Sequence, residues 1–120
     1  MATPNIVNVA TINGFTLSGA VTTSDVDIIT VPSDYVYKLN TLMISNIDGT
    51  NTASVSIKIT TDNASTFYEF GPAIPIPAKT VLTFIGKDNI LYLDETDRIR
   101  ISATANSDLV YVASGEKITD

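Results

Sequence analysis

"YKLNTLMISNIDGTNTASVSIKI", residues 37–59, holds the pattern on which the fold turns. In its second half Val55, Ile57 and Ile59 alternate with Ser54, Ser56 and Lys58. A period of two places the apolar set on one side of an extended chain and the polar set on the other, which a helix of 3.6 residues per turn cannot do. The first half is less regular: Leu39 is followed by Leu42 and Ile44, a step of three where two is expected. One extra residue at Asn40 or Thr41, a β-bulge, restores the register. Asp48-Gly49 begins the turn between the halves, and the stretch as a whole predicts a β-hairpin.

The same signals recur along the chain. Runs rich in Val, Ile, Thr, Tyr and Phe return every 8 to 12 residues, which predicts strands at 6–12, 15–22, 26–31, 36–46, 52–61, 66–70, 80–85, 90–93, 97–103 and 108–118. Asn13-Gly14 predicts a two-residue hairpin turn, because both residues tolerate positive φ. "ILYLDETDRIRISA", residues 90–103, predicts another hairpin, with Leu91, Leu93, Ile99, Ile101 and Ala103 inward and Arg98 and Arg100 outward. The last strand is apolar on both sides, Leu109, Tyr111 and Ala113 against Val110 and Val112, so it is either central or covered by a neighbouring subunit. "PAIPIPAKT", residues 72–80, holds three of the five prolines. A proline gives no N–H to a ladder, so this segment is predicted to be an edge, a crossover or a surface arm, and as an edge it would withhold donors from any passing strand. The expectation is one all-β domain, an antiparallel β-sandwich of about eight to ten strands. Residues 1–12 are an extended arm or first strand, and residues 13–120 are the sandwich.

Composition limits the chemistry. At 120 residues the chain suits one core, which buries roughly two-thirds of the unfolded surface. It has no cysteine and no histidine, which removes thiolate and imidazole catalysis, the usual zinc cages and disulfides. The net charge is −6 and the seven basic residues are scattered, so nucleic acid is not an expected partner. The opening "MATPNIVNVATING" has neither the basic region of a signal peptide nor the apolar length of a membrane span, and no membrane association is expected.

Candidate sites for chemistry are few. Asp94, Glu95 and Asp97 are the densest carboxylates, but residues of this kind in one tight turn cap backbone N–H groups. Asp48 with Asn46 and Asn51 offers oxygens without the ligand spacing of a calcium loop. The five tyrosines sit on separate strands and form no sugar platform. No phosphate-binding glycine loop is present. No catalytic residue, cofactor or metal is predicted, and two classes remain: a protein that builds or binds through its surfaces, and a glycan-binding sandwich.

Several stretches together resemble small virion structural proteins of tailed bacteriophages, particularly marine and cyanobacterial ones. "MATPNIVNVATINGFT" is similar to their N-terminal arm and "YKLNTLMISNIDGTNTASVSIKI" to their central hairpin. "IPIPAKTVLTFIGKDNILYLDETDRIRISA" resembles their proline crossover and acidic turn, and "DLVYVASGEKITD" their terminal strand. The resemblance implies a jelly-roll sandwich, often trimeric, carried in many copies on the virion, where it decorates or cements the capsid by binding the major capsid protein. Tail, neck or baseplate components look alike and stay open. The expected partner-contacting residues are Ile6, Val7 and Val9 of the arm, which would add a strand to a neighbour's sheet edge or else pair with the chain's own sheet. Asp48, Thr50, Asn51 and Thr52 of one loop, and Phe67 and Tyr68 of another, complete the set.

Overall fold

The computed structural model describes residues 11–119, so the arm residues Ile6, Val7 and Val9 lie outside the described part. It is built of nine strands: β1 (Thr11–Val21), β2 (Val26–Thr30), β3 (Tyr35–Asn46), β4 (Ala53–Thr60), β5 (Tyr68–Ile76), β6 (Val81–Ile85), β7 (Leu91–Leu93), β8 (Arg98–Ala103) and β9 (Leu109–Thr119). Sheet A runs β1-β9-β3-β6, with β7 also paired to β3, and sheet B runs β2-β8-β4-β5. Every pairing is antiparallel. The chain passes back and forth between two stacked sheets, which is the jelly-roll order. The sandwich expected from the sequence is the fold observed.

The inner faces meet over Ile29, Leu39, Leu42, Ile44, Val55, Ile57, Ile76, Leu93, Ile99, Ile101 and Leu109, all essentially without solvent contact. Each such Leu or Ile contributes about 1.5–3 kcal/mol by leaving water. The bulge predicted in β3 is present: Leu39 faces Gly115 of β9 and Thr41 faces Ser114, which leaves Asn40 as the extra residue. Leu39, Leu42 and Ile44 thereby all reach the core.

Three predicted hairpins are not there. Asn13 and Gly14 pair with Lys117 and Glu116 inside the unbroken strand β1, and neither has positive φ. Residues 15–22 are therefore not a strand separate from residues 11 and 12. The turn beginning at Asp48-Gly49 carries the chain from β3 in sheet A to β4 in sheet B, so the two runs stack across the core instead of pairing. Asp94–Asp97 likewise leads from β7 in sheet A to β8 in sheet B. Among the described residues β4 and β5 are the only consecutive strands that pair with each other.

Of the placements expected for the proline segment, the structure shows the edge. Pro72 and Pro75 lie within β5, the last strand of sheet B, whose register against β4 breaks between Val55 and Ile57 and again between Ile57 and Lys58. Ala73 there adopts φ 42°, and together with the breaks it interrupts the regular ladder that a passing strand would need.

Candidate functional site

The acidic turn is structural. The Asp97 carboxylate accepts the Asp94 N–H at 2.9 Å, and Glu95 reaches out to accept the Asp34 N–H at 2.8 Å. Asp97 is only 7% exposed, and its burial pushes the carboxyl above the usual aspartate range. Between the ordinary and the raised value the folded chain holds more protons than the unfolded one, so this group's contribution to stability falls as pH rises through that window. Asp97→Asn keeps an oxygen for the Asp94 N–H and cannot ionise. It is expected to be the more stable protein in urea titrations at pH 7, with the advantage gone at pH 3. Asp97→Ala strands the N–H and should cost about 1–3 kcal/mol.

The Asp48 loop is equally self-satisfied. Asp48 Oδ1 accepts the N–H groups of Thr50 and Asn51 at 2.8 and 3.2 Å, and Asn51 Nδ2 donates to Oδ2 at 3.3 Å. The Thr50 N–H above all holds this carboxyl below the usual range. No group of three or more metal-ligating side chains occurs among the described residues. A hollow of about 270 Å³ opens between the sheets, lined by Phe70, Phe84, Ile85, Asn89 and Leu91. The Asn89 amide is already engaged, donating to the Phe84 carbonyl at 2.9 Å and accepting the Gly86 N–H at 2.6 Å. The hollow therefore offers a reactant apolar contact and no acid, base or nucleophile.

The outer faces of the two sheets differ more than any pocket does. Sheet B carries the ions. Asp27 on β2 receives Arg100 at 2.7 Å and Arg98 at 3.3 Å, Lys58 meets Asp25 at 3.1 Å, and the Arg100 guanidinium lies 3.8 Å from the centre of the Phe67 ring. The hydrogen bond from Arg100 is the main reason that the Asp27 carboxyl sits below the usual range. Arg98 and Arg100 thus point outward, as the alternation predicts.

Sheet A presents the opposite character. The strand register aligns Ala20, Val110, Ser45 and Val81 in one row across the sheet and Ser18, Val112, Met43 and Thr83 in the next. Thr16, Ser114 and Thr41 follow. One ion pair, Lys38–Glu116 at 3.5 Å, closes the series. Val81 is 57% exposed, and Val110, Val112 and Met43 are half-buried. β9, apolar on both sides, is central in its sheet, and its second side contributes to this open face.

The residues expected to touch partners are not gathered into one patch. Asp48, Thr50, Asn51 and Thr52 precede β4, whereas Phe67 and Tyr68 lie at its far end, where Tyr68 pairs with Ile59. Eight residues of strand separate the two loops, about 26 Å. Thr50, Asn51, Thr52 and Tyr68 are exposed, while Phe67 covers Arg100. The open face of sheet A was signalled in the sequence only by the two-sided strand at 108–118.

No protein-family model matches the chain, and no curated protein matches it. Solved structures that the chain resembles include the following two. One, described as "Bacillus endospore appendages form a novel family of disulfide-linked pili", has a TM-score of 0.54 at 14% identity, over 91% of this chain and 87% of that one. The other, a pentameric capsid protein isolated from metagenomic phage sequences, has a TM-score of 0.40 at 13% identity, over 87% of this chain and 60% of that one. The first likeness shows the same sandwich architecture.

Proposed function

We propose that the chain is a non-enzymatic structural subunit of a phage virion, set on the capsid exterior as an oligomeric decoration or cement protein that binds the major capsid protein. The carrying observation is the contrast between the faces. A sandwich that holds its ions in pairs on the outer face of sheet B and shows rows of Val, Met, Ser and Thr on the outer face of sheet A is built to be wetted on the first and covered on the second. The self-satisfied carboxylates and the apolar hollow support a role without chemistry. The chain lacks cysteine, so copies are held together without disulfides. Weak individual contacts suffice when one oligomer touches several capsid subunits at once, because the later contacts are intramolecular. The loop at 48–52 and Tyr68 add contacts at the two ends.

Co-sedimentation with capsids that lack the protein tests the face. Met43→Lys with Val112→Lys should abolish binding and leave the far-UV spectrum unchanged, whereas Lys58→Glu on sheet B should bind normally. Full binding by the double variant would overturn the assignment of the face. Binding of the parent to tails or baseplates, and not to capsids, would favour the second placement on the virion.

A further inference from the structure

The edges of the two sheets are unequal. β5 is blocked by Pro72 and Pro75 and by two register breaks. β2 has five residues and a break between Asp27 and Ile29, β6 has five and a break, and β7 has three. β1 has eleven residues in eleven consecutive pairs with β9, without proline, charge or bulge. Its second side has no partner among the described residues. Natural sheets seldom leave so long and flat an edge unguarded unless it is used. The core is also short of cover at this margin: Phe15 and Leu17 of β1, and Ile28 of β2, pack against it but stay half-buried.

We propose that the free edge of β1 receives residues 1–10 of a second copy of the chain as an added strand. This rests on reading the chain as an assembly subunit and names the partner of that reading's arm. The lengths agree, since ten extended residues reach about 33 Å and β1 spans about 37 Å. The chemistry agrees as well: neither segment carries a charged side chain, so two copies of a chain of net charge −6 meet there without apposed carboxylates. Val7 and Val9, one period apart, fall on the side of Phe15 and Leu17 and complete their burial. Ile6 and Asn8 fall on the side of Thr16 and Ser18. Pro4, lacking an N–H, ends the ladder. A return of the arm onto its own β1 would need a tight turn, and Val9-Ala10-Thr11-Ile12 offers no residue suited to the positive φ that such a turn takes.

The test uses the full chain, a chain lacking residues 2–10, and a peptide of residues 1–10. Sedimentation should show the full chain as an oligomer and the truncated chain as a monomer with an unchanged far-UV spectrum. Added peptide should slow amide hydrogen exchange in residues 11–21. If truncation impairs folding, the full chain with Val7→Asp and Val9→Asp supplies the comparison and should be monomeric. A truncated chain that still dimerises would mean that β1 pairs with β1 and would overturn the proposal. So would a peptide that leaves exchange in residues 11–21 unaltered. An arm-dependent oligomer that fails to bind capsids would contradict the decoration role while leaving this proposal standing.

Discussion

Gly115→Ala is expected to lower the thermal midpoint on the order of 10 °C or more, through a loss of roughly 2–4 kcal/mol. A Cβ built at Gly115 would overlap the Lys38 carbonyl oxygen and stand 3.0 Å from its carbonyl carbon and 3.1 Å from Leu39 Cα. All three are backbone atoms, so no side chain can rotate away. They belong to the bulge at Asn40, where β3 doubles a residue to bring Leu39 and Leu42 to the core together. β9 cannot retreat, because it pairs with β1 on its other side along its whole length. The fitting control is Gly14→Ala: it lies in the same sheet, but its nearest neighbour would be the Gly115 carbonyl oxygen at 3.9 Å. That variant should stay within about 0.5 kcal/mol of the parent. Circular dichroism melts of the two variants decide the matter, and equal losses would show that close approach at the bulge is not the cause.

Asn46→Ala should cost about 2–4 kcal/mol, because it strands three backbone groups at once in a site closed to water. Asn46 ends β3 at 2% exposure. Its Nδ2 donates to the Asn51 carbonyl at 2.9 Å and to the Ile76 carbonyl at 2.8 Å, while its Oδ1 accepts the Asp48 N–H at 2.9 Å. One side chain thus fastens sheet A to the end of β5 in sheet B and shapes the loop between β3 and β4. Asn46→Asp should be at least as harmful at neutral pH, since a carboxylate there would face two carbonyl oxygens with no proton to offer. It should recover part of the loss in acid, when the carboxyl is protonated and can donate one hydrogen bond. Urea titrations of both variants at pH 7 and pH 4 test this; an Asp variant equal to the parent at pH 7 would mean that the amide donors are dispensable.

Much of this architecture is legible in residues 37–59 and 90–118. Alternation there marks the strands and the inward side of Val55, Ile57, Ile99 and Ile101, and the step from Leu39 to Leu42 marks the bulge. What stays hidden is which strand pairs with which. An apolar face is buried equally well by a sheet stacked on it, so alternation cannot tell a hairpin from a crossing between sheets. Turn residues are no better a guide. Asp48-Gly49 and Asp94–Asp97 do turn the chain, but into the other sheet, and Asn13-Gly14 stays extended because its backbone groups find partners across from Lys117 and Glu116. Gly115 and Asn46 escape for a related reason: their importance lies in Lys38 and Ile76, 77 and 30 positions away. The open face of sheet A, proposed for contact, is half visible as the two-sided apolar pattern of 108–118. The rows it forms with Met43 and Val81 need the strand order.

The central claim, that the chain works as a many-copy building part on a capsid, is tested most directly by counting it. On the proposed role, purified phage particles carrying the chain, measured by quantitative mass spectrometry against an isotope-labelled standard, should contain copies on the order of hundreds, in fixed ratio to the major capsid protein, as a symmetric shell requires. A count of only a dozen or so per particle, or none, would contradict it.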